Sequence, residues 1–339
     1  MKNTINYLLT FCIAIFVSSS LSAQDIHFSQ FYASPLSLNP ANTGNYDGDW
    51  RLMNSYRQQW KSIKEPFVTN AIAYDRNFYV LNENISGGLI FINDKSGGAN
   101  LSVNKIFLSA AYHKALNGHK FHVGYQVGYV QKNISMASIT FPDQFDRNLG
   151  QFNPQLPSNE TFNGEQLSYV DMNIGAIYGK RIGRFDLEAG VAFFHFNYPK
   201  ETFFKPGNSL ISRKLMHFSA KFDVTSKIFL QPRILLMGTT KTTDYMAGAN
   251  VGYRIAENKA TIKSIFAGVL FRNGISRNND AFVAIAGLNF KAFDLGFSYD
   301  YNVSDLNIAT NYMGGFEISF IYTGINTVLK KISIPCDRY

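Results

Sequence analysis

The chain has 339 residues, a formal net charge of +8 and 15% aromatic residues, among them 30 Phe and 19 Tyr, against only 17% charged residues. Its mean hydropathy is close to zero, at −0.10. A large soluble core would hold more of its apolar residues as Leu, Val and Ile, whereas a wall with one lipid face and one wet face has this balance. The composition therefore favours a membrane β-barrel and leaves a soluble β-sandwich or propeller as the alternative that periodicity must exclude.

Residues 1–23 have the features of a cleavable secretory signal peptide. Lys2 supplies the positive start, an apolar core follows, and the small and polar stretch from Ser18 ends in Ser22-Ala23 before Gln24. The apolar run is too short for a membrane-spanning helix, which needs about 20 apolar residues. Cleavage would remove Cys12 and leave Cys336 as the only thiol, so we expect no intramolecular disulfide.

Alternation of apolar and polar residues, the two-residue period of a β-strand, recurs along the rest of the chain. Between Phe293 and Val303 the odd positions are all apolar or aromatic, and the even positions are Asp, Gly, Ser, Asp and Asn. The same pattern occupies residues 121–129 and 312–322. One face of each strand therefore meets an apolar environment and the other a polar one. Tyr and Phe near the strand ends are typical of the interfacial girdles of a membrane barrel.

The alternation predicts an all-β fold in which a 14-stranded antiparallel transmembrane β-barrel occupies residues 49–323. Many of the strands have roughly 9–13 residues, which is enough to cross a hydrocarbon layer when tilted. The predicted spans are 50–57, 67–75, 84–92, 103–113, 120–131, 168–180, 184–196, 213–223, 227–237, 244–255, 260–272, 281–291, 292–303 and 310–322.

The lengths of the connections support a barrel and predict its orientation. Those after the fourth, sixth, eighth, tenth and twelfth strands are short, and Asn117-Gly118 is a two-residue hairpin signal in the first of them. Those after odd-numbered strands are longer, up to residues 132–167. Since bacterial barrels have short periplasmic turns and long outer loops, both termini, including a C-terminal tail of residues 324–339, are predicted to be periplasmic.

Positive charge is concentrated in the predicted periplasmic turns and the tail. A basic rim there could bind anionic lipid head groups or an acidic partner, although basic residues also simply flank membrane strands. The rim residues are Lys114, Lys120, Lys180, Arg181, Arg184, Lys259, Lys330 and Lys331.

No pattern in the sequence predicts a catalytic, cofactor or metal site. His119 and His122 are three apart on one strand and point to opposite faces. Ser109 and His113 share a face, but about 13 Å of extended chain separates them. The motifs of phosphate-binding loops, zinc proteases and serine hydrolases are absent from the sequence. We therefore expect no enzymatic activity, no cofactor and no nucleic-acid partner.

Residues 24–48 differ from the rest of the chain because their aromatic residues do not alternate. Pro35 and Pro40 prevent a regular element through the segment, and its four aromatic residues argue against a disordered leader. A fourteen-strand barrel is wider than those that side chains alone can fill, so we predict that this segment is a plug in the lumen or its periplasmic mouth. The plug residues are Phe28, Ser29, Gln30, Tyr32, Pro35, Asn39, Pro40, Ala41 and Gly44.

The same segment resembles the opening of the PorP/SprF family. Similar stretches are Phe28-Ser-Gln-Phe-Tyr32, Pro35-Leu36, Asn39-Pro-Ala41, Gly44, Tyr56-Arg-Gln-Gln-Trp60, Ala73-Tyr-Asp75, Gly124 to Gln131 and Phe141 to Asp146. The last four residues depart mildly from the Cys-Pro-Arg-Phe end of many members. The resemblance implies an outer-membrane component of the Bacteroidota type IX secretion system, which acts in protein export and, in some members, in delivery or attachment of gliding adhesins.

The implied partners are outer-membrane lipid, a secreted surface protein reached through the outer loops or the lumen, and periplasmic secretion-system subunits. Asn39-Pro40-Ala41 also resembles the hatch motif of FadL-type barrels, which have fourteen strands and an N-terminal lumen plug. Uptake of an apolar small molecule is therefore the main alternative function, and it predicts a continuous apolar pocket beside the plug. A general porin is a third possibility, disfavoured by a plugged lumen.

Overall fold

The computed structural model describes residues 27–61, 65–80, 83–96, 100–135, 140–153, 155–157, 164–203, 208–239, 242–255, 262–275, 279–305 and 307–324. The predicted signal peptide, residues 24–26 of the predicted plug and the rim residue Lys259 lie outside these ranges. So does the predicted C-terminal tail with Lys330, Lys331 and Cys336, except for Gly324, which ends the last strand. No helix in the described ranges is long and apolar enough to cross a membrane.

The strands in chain order are β1 (Trp50–Gln59), β2 (Phe67–Val80), β3 (Glu83–Ser96), β4 (Leu101–Leu116), β5 (His119–Asn133), β6 (Phe145–Asp146), β7 (Gln151–Phe152), β8 (Gln166–Ile182), β9 (Phe185–Phe194), β10 (Arg213–Asp223), β11 (Ile228–Gly238), β12 (Thr243–Arg254), β13 (Ile262–Ile275), β14 (Asn279–Phe290), β15 (Phe293–Asn302) and β16 (Met313–Gly324). Short helical turns occupy Phe31–Ala33, Pro35–Leu38, Pro40–Asn42, Pro142–Gln144 and Asn307–Thr310.

Fourteen of these strands form one closed antiparallel barrel, and β6 and β7 pair with each other within the connection between β5 and β8. Each barrel strand pairs with its neighbours along the chain, and β1 pairs with β16 from Trp50–Gly324 to Gln59–Gly315. Closure in this way leaves no sheet edge with unpaired backbone groups, a requirement for a sheet in lipid.

The prediction of fourteen antiparallel strands is confirmed, and each predicted span overlaps one barrel strand. Several strands are longer than predicted, because β-pairing continues through polar residues where the alternation fades. At Asn117-Gly118 the two residues have φ of 50° and 79°, the left-handed values of a type I′ hairpin turn.

The barrel has one end with mostly short connections, the turn end, and one with mostly longer connections, the loop end. The turn end carries residues 81–82, 117–118, 183–184, 224–227, 255–261 and 291–292, together with the start of β1 and the end of β16. The predicted alternation of lengths was wrong at two places. The connection 239–242, after the ninth barrel strand, is no longer than 224–227, after the eighth, and 255–261, after the tenth, is longer than 276–278, after the eleventh. There β13 and β14 extend to Ile275 and from Asn279, which shortens the connection.

The two faces of each strand differ as the alternation predicts. On β5, Phe121, Val123 and Tyr125 are exposed on the outer face, whereas His122 and Gln126 are buried on the inner face. The outward apolar side chains recur around the barrel, for example Leu108 at 63% and Val269 at 66% exposure. So much exposed apolar surface would be a liability in water and suits a lipid surrounding.

Candidate functional site

Residues 27–48, the N-terminal segment, lie inside the barrel against its inner wall. The side chains of this segment and of the wall form two apolar clusters: one contains Phe28 and Leu36, and the other Phe31 and Leu38. Pro35 and Pro40 each begin a short helical turn, as suits a residue with fixed φ and no N–H to satisfy. The segment is therefore packed irregular structure, held by apolar contacts at several levels of the lumen.

A buried ionic cluster holds the start of the segment. The Ser29 hydroxyl donates to Asp300 Oδ2 at 2.9 Å and accepts from Arg57 Nη1 and Arg272 Nη1, each at 2.7 Å. A hydroxyl has one donor and two acceptor sites, so the hydrogen-bonding capacity of this side chain is complete. Glu317 accepts from the backbone N–H groups of Ser29 and Gln30 at 2.5 and 2.8 Å.

Within this cluster the charges compensate each other. Arg57 pairs with both Asp300 and Glu317, and Arg272 pairs with Asp300 at 2.9 Å and with Asp280 at 2.6 Å. Arg57, Arg272, Asp300 and Glu317 are each 3% exposed or less. Buried charges are tolerated only when paired and hydrogen-bonded, and the segment's own N–H and hydroxyl groups supply part of these bonds. Among the described residues, Asp300 Oδ1 alone of these carboxylate oxygens has no hydrogen-bond partner.

Asn39, Pro40 and Ala41 of the segment pack against a patch of the barrel wall where two glycines leave no side chain in the way. Gly124 on β5 and Gly175 on β8 are cross-strand partners. A Cβ on Gly124 would lie 2.3 Å from Pro40 C, and one on Gly175 would lie 2.0 Å from Asn39 Oδ1. Both distances are far below van der Waals contact, so only glycine at these two positions lets the segment approach so closely.

The Asn39 side chain links the segment's own backbone to that of the wall. Its Oδ1 accepts from Ala41 N–H at 2.9 Å, and its Nδ2 donates to the carbonyls of Val191 and Ala176 at 3.0 and 3.3 Å. An amide offers both an acceptor and two donors. Aspartate at this position could cap the turn but could not donate to the strand carbonyls.

The end of the segment is fixed by Asp75 on β2. Its Oδ2 accepts from Gly44 N–H at 2.8 Å and from Arg51 Nη2 at 2.7 Å. Arg51 also donates to the Asn42 carbonyl at 3.1 Å and lies 4.2 Å from the centre of the Tyr46 ring. Gly44 has φ of +77°, a left-handed conformation that favours glycine. Burial, followed by the nearby Asp75 carboxylate, raises the pKa of the Tyr46 phenol above its ordinary value.

All nine predicted plug residues thus lie in the interior. Eight are buried, and Tyr32 is half-buried with the Arg233 guanidinium 3.9 Å above its ring. The rim residues within the described chain lie at the turn end: Lys114 pairs with Glu83 at 2.5 Å, and Lys114 and Lys120 line a cavity of about 420 Å³. Arg181 and Arg184 are exposed, and Lys180 is half-buried. The structure therefore brings together the residues that were predicted to form a plug, and it leaves the basic residues spread around the turn end.

The family model for the type IX secretion system membrane protein PorP/SprF matches residues 20–322. The chain belongs to the PorP/SprF family. No curated protein matches it.

Solved structures similar to this PorP/SprF protein are barrels of low sequence identity. The toluene transporter TbuX of Ralstonia pickettii has 10% identity and a TM-score of 0.49, with 91% of this chain and 97% of that chain covered. A FadL homologue of Pseudomonas aeruginosa has 10% identity and a TM-score of 0.48, with 84% and 92% covered. The translocator domain of the autotransporter NalP from Neisseria meningitidis has 12% identity and a TM-score of 0.45, with 87% and 95% covered. We draw no functional conclusion from these likenesses.

Sequence reasoning missed the pairing of histidines inside this PorP/SprF barrel. His113 on β4 lies opposite His122 on β5, with their Nδ1 atoms 2.5 Å apart, and the His113 Nε2 lies 2.9 Å from Ser86 Oγ. His195 bonds Asp171 at 2.8 Å in a second buried pair. Among the described residues, no group of three His, Cys, Asp or Glu side chains could hold a metal ion.

Proposed function

We propose that this PorP/SprF protein is a plugged outer-membrane barrel that assists the export or surface attachment of a specific secreted protein, such as a gliding adhesin. Family membership supports the secretion role. The buried cluster around Ser29 is the observation that supports an interaction role over a free pore, because it commits four charged wall residues to holding the N-terminal segment inside the lumen. A channel for free diffusion has no need of such a cluster.

The proposed orientation places the turn end, both termini and the basic residues in the periplasm, where they contact secretion-system subunits. The long connections 134–165 and 195–212 then face the exterior and present a surface to the secreted protein. Short turns on the periplasmic side are the rule in bacterial barrels, and the lengths of the connections at the two ends support this assignment.

Deletion of the gene in the source organism, with complementation by an affinity-tagged chain, tests the proposal. We expect loss of one or a few proteins from the cell surface and medium in quantitative proteomics, with their precursors retained in the periplasm. The tagged chain purified from native membranes should carry a secretion-system subunit or the same surface protein. Unchanged surface and medium proteomes, together with recovery of neither kind of partner, would refute the proposal.

Uptake of an apolar small molecule is less well supported. A cavity of about 1360 Å³ beside the N-terminal segment includes five cationic side chains and two carboxylates in its wall. Pockets for apolar ligands are lined mostly by hydrophobic side chains with few polar groups. Extraction of the purified protein and mass spectrometry for a co-purifying lipid or hydrocarbon would decide the matter, since a stoichiometric apolar ligand would favour this alternative.

A further inference from the structure

The N-terminal segment fills only part of the lumen and leaves a large cavity at the turn end. This cavity, of about 1360 Å³, lies between the segment and the inner faces of β10 to β16. Its mouth includes Arg254, the last residue of β12, and Lys291, in the turn after β14. Its floor includes Gln30 and Tyr32 of the segment, which bond to wall residues in the middle of β12, β15 and β16. The cavity is therefore open at the turn end and closed by the segment about halfway through the barrel.

The wall of the cavity has an excess of positive charge. Its cationic side chains are Lys221, Arg233, Arg254, Lys263 and Lys291, and its carboxylates are Asp47 and Asp294. Arg254 has a partner in Asp223, at 2.5 Å. In the part of the chain that the structure describes, Lys221, Arg233 and Lys263 make no ion pair. A concave site lined by one sign of charge attracts ligands of the opposite sign more strongly than the same charges on a flat surface.

Arg233 is placed to bind a carboxylate at the bottom of this cavity. Its guanidinium lies 3.9 Å from the centre of the Tyr32 ring, and one of its N–H groups donates to Gln231 at 3.2 Å. The Tyr32 ring is itself fixed by a hydrogen bond from Asn250 to its hydroxyl, at 3.2 Å. A guanidinium has five donors in one plane, so stacking on the ring leaves N–H groups at its edge for a bidentate carboxylate.

We propose that this cavity binds an acidic peptide segment that enters from the turn end, with Arg233 holding a carboxylate at the floor and Lys221 and Lys263 holding others nearer the mouth. The volume exceeds the roughly 300–1000 Å³ of small-molecule sites. Phe229, Phe266 and Leu295 also line the cavity, so apolar side chains of the peptide that lie between its acidic residues can pack against them.

The occupant to which these charges point is a periplasmic partner, not this chain's own C-terminus. Residues 325–339 follow directly from the end of β16, but they carry Lys330, Lys331 and Arg338 against a single aspartate, Asp337. The excess positive charge of the cavity would repel them. The inference rests on the proposed function, which places the turn end in the periplasm among secretion-system subunits.

Fluorescence anisotropy with the full-length purified protein in detergent tests the inference. The probe is a labelled eight-residue peptide of alternating glutamate and alanine, compared with the same peptide carrying lysine in place of glutamate. We expect the acidic peptide alone to bind, with an affinity that falls as salt is raised. Arg233→Gln should weaken binding about tenfold, the loss of one well-placed charge-assisted contact. The double variant Lys221→Gln/Lys263→Gln should weaken it by a similar factor.

Matched controls are Lys180→Gln and Arg184→Gln, which remove positive charge at the same end of the barrel outside the cavity. We expect them to change the affinity by less than twofold. Equal losses in the controls and the cavity variants would overturn the inference, as would absence of acidic-peptide binding or displacement of the peptide by an equal concentration of inorganic phosphate. Each of these outcomes leaves the proposed secretion role intact, because that role is tested by the surface proteome of the deletion strain.

Discussion

Substitution of Gly124 tests whether the glycine pair on the wall determines the seating of the N-terminal segment. The Cβ added by Gly124→Ala would lie 2.3 Å from Pro40 C and 2.4 Å from Ala41 N, both backbone atoms that no rotamer change can move. An ordinary contact between the new Cβ and Pro40 C needs at least about 3.4 Å, so the segment must move away from the wall by roughly 1 Å. Overpacking of this kind costs about 1–3 kcal/mol, which shifts the equilibrium between seated and released segment by about 5- to 150-fold.

The accessibility of a thiol placed in the segment measures this equilibrium. Ser34 is buried, at 4% exposure, and Ser34→Cys changes the size of its side chain little. In a Cys336→Ser background, a polar maleimide should react with the introduced thiol only when the segment leaves the wall, so the rate reports the released fraction. We expect Gly124→Ala to raise the labelling rate by about 5- to 150-fold.

Gly179→Ala is the matched control, because Gly179 lies on the neighbouring strand β8 near the turn end and a Cβ there would meet its nearest atom at an ordinary 3.5 Å. Both substitutions reduce the backbone freedom of the unfolded chain equally, so a difference between them reflects the contact with the segment. Equal labelling rates in the two variants would refute the idea that the side-chain-free patch holds Asn39, Pro40 and Ala41 in place.

Three further perturbations address the other contacts of the segment. Ser29→Ala removes the acceptor of two buried guanidinium N–H groups, and an unsatisfied buried polar group costs about 1–3 kcal/mol. The thiol labelling rate should therefore rise, whereas substitution of an exposed serine, Ser226→Ala, should leave it unchanged. Deletion of residues 24–48 should raise single-channel conductance in planar bilayers well above that of the intact chain; equal conductance would contradict the plug. Burial raises the pKa of Tyr46, so its neutral form stabilises the seated segment up to pH about 10, and this contribution is lost at higher pH. The labelling rate of the parent divided by that of Tyr46→Phe should therefore rise above pH 10. A ratio that does not change with pH would contradict the role of the phenol.

The strands of the barrel were predictable because each is a local pattern with a fixed period. Alternation determines which residues face lipid and which face the lumen, and a two-residue turn determines the register of its hairpin. The His113–His122 pair could have been found in this way, since the two residues are equally distant from the Asn117-Gly118 turn. Histidines compared within one strand, such as His119 and His122, do not reveal this pair, because it depends on the register of the hairpin.

The contacts of the N-terminal segment were not predictable from periodicity. Ser29 meets Asp300 across 271 residues of sequence and Arg57 across 28, and alternation assigns these wall residues only to the inner face. Which inward residues meet which part of an irregular segment depends on where the segment lies in the lumen, and no local pattern encodes that position. The prediction of an interior segment came from its aromatic density and from the width of the barrel, which indicate that a surface is needed but not which surface.

Three of the stretches that carry the family resemblance are far apart in sequence, yet all three contact the N-terminal segment at its interface with the wall. Arg57, from the Tyr56 to Trp60 stretch, bonds Ser29, and Asp75, from the Ala73 to Asp75 stretch, bonds Gly44 N–H. Gly124, in the Gly124 to Gln131 stretch, lies against Pro40, and Gln126 in the same stretch donates to the Leu36 carbonyl at 2.8 Å. These four contacts indicate that this part of the family pattern describes one interface. A change in either partner of a pair should therefore release the segment by a similar amount. The double variant Ser29→Ala/Gly124→Ala shows whether the two contacts act as one unit. If they do, its labelling rate departs from the product of the two single effects.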